Sequence, residues 1–403
     1  MNLADRFSDL YGPGQARLFQ APGRVNIIGE HTDYNGGFVL PAAVDRRLFL
    51  AARPRRDRLV RVHSSTIGES AEFSLDSLSA RGREPSRGRG RGGFQTRPRG
   101  DHAAWVNYVA GVAHVLQEEG HDLVGLDMLI DSDIPVGAGM SSSAALEVAA
   151  GVTWRSICGL GIDDVQLALL CQRAEHTFVG VPCGIMDQFA ALLSRPGHAL
   201  FLDCRSLEYR HVSLPWGDLR IVVTDTGVRR ELAGSEYAVR RRQCEEAAAA
   251  MRRRFPHIEQ LRDARIEHLE AADLDDTLRK RARHVIEENE RVLEAVQAIG
   301  SNDLNRIGRL LFESHRSLRD LYEVSCRELD ILVDLASEIP GVFGSRMMGA
   351  GFGGCTISLV RADILGDFEE KVRSGYCAAT SITPVIHVCA SQRGAGEVEG
   401  GTR

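Results

Sequence analysis

Hydrophobic positions in the first 60 residues fall in short runs. RLFQAPG (17–23), FVLPAAV (38–44) and RLFLAAR (47–53) are separated by Gly, Pro and Asn, which predicts strands. Beyond residue 100 the period changes. AAWVNYVAGVAHVL puts Trp105, Val106, Val109 and Val112 on one stripe, as in a helix. LVGLDMLIDSDI (123–134) predicts a strand leading into a small-residue helix, and DDVQLALLCQRAEHTF (163–178) predicts a helix with an acidic start. HALFLDC (198–204) and RIVVTDT (220–226) predict strands. Helical stretches are expected at about 236–255, 275–299 and 302–338, then strand and turn around SRMMGAGFGGCTISLV and PVIHVCA. Strands and helices mix without regular βαβ alternation, so the expected class is α+β rather than a doubly wound sheet. A chain of 403 residues supports two domains. The expected division is 1–195 and 196–390, with the Gly- and Glu-rich residues 391–403 as a frayed tail.

Composition narrows the classes. The 49 basic and 55 acidic residues give a net charge of −6, so no nucleic-acid partner is expected. No apolar run reaches the ~18 residues that would span a bilayer, so no membrane partner is expected either. The first residues carry acids and no apolar core, unlike a signal peptide. Nine dispersed cysteines without a CxxC point to a reducing, cytoplasmic setting. Residues 81–100 hold seven arginines and six glycines with almost no apolar content, and read as a disordered surface insertion. Only two lysines occur, Lys280 and Lys371, neither in a Gly-Lys-Ser/Thr context, which excludes a P-loop.

Two segments carry candidate chemistry. In PVGAGMSSSAALEV (135–148), Gly137 and Gly139 permit close backbone approach, and Ser141, Ser142 and Ser143 open a helix. A helix N-terminus suits a polyphosphate, and the same serines suit a plain N-cap. In GRVNIIGEHTDYNGG (23–37), Arg24, Glu30, His31 and Asp33 crowd into ten residues among glycines. Such a run suits recognition of a polyhydroxylated ligand, or a solvated turn.

Taken together these motifs are similar to those of a known family. GRVNIIGEHTDYN resembles the galactokinase signature, PVGAGMSSSAALEV the ATP loop of the GHMP kinases, and MMGAGFGGCTISL (347–359) their C-terminal glycine motif. VPCGIMDQFA (181–190) and SEYAVRRRQC (235–244) match further galactokinase-type segments in the same order. The resemblance implies a two-domain α+β fold with the active site in the interdomain cleft. It implies phosphorylation of the C1 hydroxyl of D-galactose by MgATP in a cytoplasmic monomer. Glu30, His31, Thr32, Asp33, Gly184 and Tyr237 would hold the sugar. Gly137, Ala138, Gly139, Met140, Ser141, Ser142 and Ser143 would wrap the nucleotide phosphates, and Ser143 and Glu175 would bind Mg²⁺. Asp187 would accept the C1 hydroxyl proton or only orient that hydroxyl, beside Arg24, whose guanidinium can bond a carboxylate and a phosphate at once. A kinase for N-acetylgalactosamine is the near alternative, decided by the wall facing C2.

Overall fold

The computed structural model describes residues 2–79, 104–135, 137–229 and 233–398. The Arg/Gly tract at 81–100 lies outside them. Alternating apolar positions build a six-stranded sheet in the order Gly396–Val398, Arg17–Asn26, Pro41–Pro54, Leu126–Ser132, Leu59–Ser64, Glu69–Ser74. Its pairings are antiparallel except for Leu59–Ser64 against Leu126–Ser132. FVLPAAV and RLFLAAR do not form two strands of equal standing. Phe38–Val39 joins a small second sheet, and Pro41–Pro54 runs on as one strand of 14 residues.

The two faces of this sheet are covered differently, as the period of two requires. Leu50, Ala52, Met128 and Ile130 turn to the main core, with the buried faces of helices Val106–Glu118 and Ser142–Cys158. Ala51 and Leu129, one residue out of step, meet Leu3 and Phe7 of helix Leu3–Tyr11. The Ala- and Gly-rich helix Ser142–Cys158 is buried on nearly every side, which is why its sequence carries few charges.

A four-stranded antiparallel sheet follows in the order Val342–Met348, Cys355–Arg361, Leu219–Asp225, Val385–Cys389. Val222 and Val360 face helices Arg327–Ser337 and Leu365–Thr380, whereas Ile221, Val223, Ile357 and Leu359 join the main core. Helices Ala233–Arg252 and Asp276–Gly300 build a further apolar cluster beside the turn Leu318–Tyr322.

Two expectations are corrected. Residues 391–398 are not frayed: Gly396–Val398 pairs with Leu18–Gln20, and Glu397 takes a bidentate bond from Arg17 (2.7 and 2.5 Å). The ladder and this ion pair anchor a segment whose Gly/Glu composition concealed a strand. The expected helix 302–338 is broken. It comprises Leu304–Ser317, a wide turn at Leu318–Tyr322, and Arg327–Ser337. Glu323 adopts φ 56°, and the freed carbonyls of Tyr322 and Glu323 accept bonds from Arg240 (2.8 and 2.7 Å). The break therefore exposes backbone acceptors that hold the neighbouring helix in place.

Candidate functional site

The three glycine-punctuated segments converge on one cavity of about 340 Å³. Arg24, Glu30, His31, Asp33, Gly137, Gly139, Ser141, Ser142, Ser143, Gly184, Asp187 and Tyr237 all line it. Ala138 and Met140 are in the same loop, but their side chains are buried in the main core. Only their backbone is left to a ligand. Thr32 is also turned away, its hydroxyl lying 2.8 Å from Gly29 O and 2.7 Å from Phe38 O. It closes the turn that presents its neighbours.

Arg24 and Asp187 come from the strand Arg17–Asn26 and the helix Met186–Leu193. The guanidinium donates from Nε to Asp187 Oδ1 (2.6 Å) and from Nη2 to Oδ2 (2.7 Å), and from Nη1 to Gly139 O (2.6 Å). Ser141 Oγ donates to Oδ2 as well. Burial by itself lowers the Arg24 pKa, but Asp187, Glu30 and Asp33 together hold it above the ordinary arginine value. Asp187 is thus fixed from two sides.

The serine loop does not form a plain N-cap. Ser141 precedes the helix in a left-handed conformation (φ 56°) and makes no capping bond, because its hydroxyl is committed to Asp187. A non-glycine residue held there costs about 1–2 kcal/mol. The first-turn N–H groups consequently have no side-chain cap and open toward the cavity, an arrangement that suits an anion. Gly137 (φ 72°) is in the left-handed region that strains any side chain, and a Cβ there would lie 2.8 Å from Arg229 Nε and push the arginine aside. Arg229, clamped by Asp225 (2.8 Å from Nη1), was not singled out in the sequence. It stands beside the loop from another sheet, and no local pattern announces it.

On the opposite wall, Glu30 accepts bonds from Gly349 N (2.8 Å) and the fully buried Arg346 (3.1 Å). Arg346 also donates to Ile27 O (2.8 Å) and Asn26 O (2.6 Å), which ties the glycine motif to the charged run. Gly349 and Ala350 line the cavity, while Phe352 N is bonded to Val324 O (2.7 Å) behind them. Asp33 is pushed up to about 7, first by burial, then by Asp187 and Glu30, against the opposing bond from Tyr34 N (3.0 Å). His31 is pushed down to about 3 by burial, and its ring packs between Tyr322 and Tyr237.

Glu175 does not line the cavity. Its Oε2 accepts from Gln188 Nε2 (2.9 Å) and the Cys183 thiol (3.0 Å), and burial raises it to about 6. Gln188 Nε2 also reaches Glu147 Oε2 (3.0 Å), a second buried carboxylate that burial raises strongly. Glu147 was read only as part of a helix. Among the described residues no group of three or more His, Cys, Asp or Glu is placed to hold a metal by itself, and no helix is long and apolar enough to cross a membrane.

Three family models match: the galactokinase galactose-binding signature at residues 5–54, the GHMP kinase N-terminal domain at 107–195, and the GHMP kinase C-terminal domain at 292–376. A galactokinase of Roseiflexus sp. (strain RS-1) is 46% identical over 398 residues, 98% of this chain and 96% of that one. A galactokinase of Chloroflexus aggregans is 47% identical over 96% of this chain and 95% of its own. The crystal structure of Lactococcus lactis galactokinase complexed with galactose superposes with a TM-score of 0.89 at 35% identity, covering 98% and 99% of the two chains. Methanococcus jannaschii mevalonate kinase, at 16% identity, shares the fold (TM-score 0.60; 94% and 99% covered).

Proposed function

Because the chain belongs to the galactokinase family of GHMP kinases, we propose that its cleft transfers the terminal phosphoryl group of ATP to the C1 hydroxyl of D-galactose, giving α-D-galactose 1-phosphate and ADP. The observation that carries this reading is the Arg24–Asp187 pair, set between the uncapped helix start and the Glu30–His31–Asp33 wall. Phosphoryl transfer depends chiefly on positioning and on stabilising charge that spreads over the equatorial oxygens. Asp187 accepts the C1 hydroxyl hydrogen bond and aims that oxygen. Its Oδ2 is already engaged by Arg24 and Ser141, which favours orientation over strong proton abstraction. The loose transition state asks for little more. Arg24 holds the carboxylate and lends positive charge next to the phosphate loop.

Glu30, His31, Asp33, Gly184 and Tyr237 form the sugar pocket in this reading, and Gly137 to Ser143 the phosphate cradle. An ATP-dependent kinase implies a divalent metal, and Mg²⁺ fits the donors present. Ser143 lines the cavity, and Glu175 is a carboxylate that burial raises to about 6. Mg²⁺ commonly takes only one or two protein ligands beside substrate phosphates. When bound, it would neutralise phosphate charge. The nine cysteines, all free, support a cytoplasmic protein, taken here as a monomer. The division of the chain near residue 195 belongs to the same reading. ADP release measured across a sugar panel tests it: galactose should support turnover, and a galactose-inert enzyme would refute it.

A further inference from the structure

We propose that Tyr34 and Tyr322 are positioning residues that hold His31 as its Nε2–H tautomer, so that the imidazole offers the sugar a hydrogen-bond donor and no acceptor. The proposal deepens, and rests on, the reading of the cavity as a galactose pocket. It starts from a chain of polar groups that runs back from the cavity, whose lining includes His31 and Tyr34. His31 Nδ1 lies 2.8 Å from the Tyr34 hydroxyl, which lies 2.7 Å from the Tyr322 hydroxyl, which lies 3.0 Å from Cys244 Sγ. The groups are brought together by three separate elements: the turn at 31–35, the wide turn ending at Tyr322, and helix Ala233–Arg252.

His31 has little freedom to reorient. Its backbone is left-handed (φ 64°), and its carbonyl accepts from Asn35 Nδ2 (2.9 Å). Its ring sits 4.7 Å from that of Tyr322 and 5.7 Å from that of Tyr237, centroid to centroid. Burial keeps the imidazole neutral at ordinary pH, so one hydrogen is shared between two ring nitrogens.

Each hydroxyl in the chain donates once, so the hydrogens run in one of two directions. A phenol O–H is a stronger acid than a neutral imidazole N–H, and the imidazole lone pair is the best acceptor present. Tyr34 therefore donates to His31 Nδ1, Tyr322 donates to Tyr34, and the Cys244 thiol donates to Tyr322. That direction uses every hydrogen. The reverse ends on a thiol sulfur, a weak acceptor. With Nδ1 occupied, the hydrogen resides on Nε2, which is buried and makes no well-formed hydrogen bond, although the ring lies within reach of the Ala350 backbone. A sugar oxygen arriving there completes its bonding.

Nitrogen-15 NMR of histidine-labelled protein tests this, with the His31 signals among the 13 histidines identified by their loss in His31→Gln. The free protein should show an unprotonated Nδ1 and a protonated Nε2. Tyr34→Phe should move His31 toward a mixture of tautomers and raise KM for galactose about tenfold, the worth of one hydrogen bond. Its kcat and KM for ATP should hardly change. Tyr322→Phe, which leaves the Tyr34 donor in place, should act in the same direction more weakly. A protonated Nδ1 in the free protein would overturn the proposal, as would Tyr34→Phe leaving the tautomer unchanged. Galactose added to the unaltered protein should shift the Nε2 signal. An unmoved signal would overturn the sugar-pocket reading and with it the donor role, separately from the tautomer seen without sugar.

Discussion

Gly184 and Asp33 occupy the same space: a Cβ built on Gly184 would lie 1.5 Å from Asp33 Oδ2. The glycine is required here by contact rather than by backbone conformation. Asp33 can reach the cavity only because the chain opposite has no side chain. Gly184→Ala should therefore displace Asp33 and raise KM for galactose by tenfold or more, about 1.4 kcal/mol or above. KM for ATP should stay within about twofold, because one hydrogen-bonding site is disturbed and the phosphate loop is not. Steady-state kinetics with each substrate varied in turn distinguishes the two.

Asp187→Asn keeps the shape of the side chain and removes the charge that binds Arg24. Turnover should fall by at least about a hundredfold, because the acceptor hydroxyl and Arg24 both lose the charge that positions them. Circular dichroism should show an intact fold. Retention of more than about a tenth of kcat would move Asp187 out of the catalytic role.

Asp33 gives the site a pH dependence near neutrality. Burial, reinforced by Asp187, raises it from 3.8 to about 7 in the folded protein. Above that pH it is a carboxylate that accepts from sugar hydroxyls; as pH falls through about 7 it takes up a proton and loses that capacity. KM for galactose should rise accordingly on acidification, and Asp33→Asn should flatten the profile. The stability contribution of the unliganded protein has the opposite sign. It is present in full below the unfolded value near 3.8 and is lost as pH rises through about 7. Kinetics and thermal melts from about pH 5.5 to about pH 8.5 check both halves.

How much of this was legible in the sequence follows from where the functional groups reside. Arg24, Glu30, His31 and Asp33 stand in one ten-residue run, and Ser141 to Ser143 in another, so composition betrays them without any knowledge of the fold. Arg346, Arg229 and Tyr322 come from other elements, in segments whose local pattern does not single them out. Their importance lies in what they touch. The helix break after Tyr322 was concealed because apolar periodicity resumes on both sides of it. The strand at Gly396–Val398 was concealed because an edge strand is defined by its partner, here Leu18–Gln20, and not by its own residues.

Arg346 tests the connection between the wall and the glycine motif. It is fully buried and bonded to Glu30, Asn26 O and Ile27 O. Arg346→Met leaves the two carbonyls without that donor and the Glu30 charge with the Gly349 N–H alone. Loss of one partner of a buried pair typically costs about 3–5 kcal/mol. Chemical denaturation should show a drop of that order, together with weakened galactose binding. A variant as stable as the parent would show that Glu30 is held by other means.

The position of phosphorylation tests the central claim most directly. Purified protein incubated with galactose and MgATP is followed by phosphorus and proton NMR. The expected result is ADP and α-D-galactose 1-phosphate in equal amounts, with no other sugar phosphate. ATP hydrolysis without sugar phosphate, or phosphate on a hydroxyl other than C1, would contradict it.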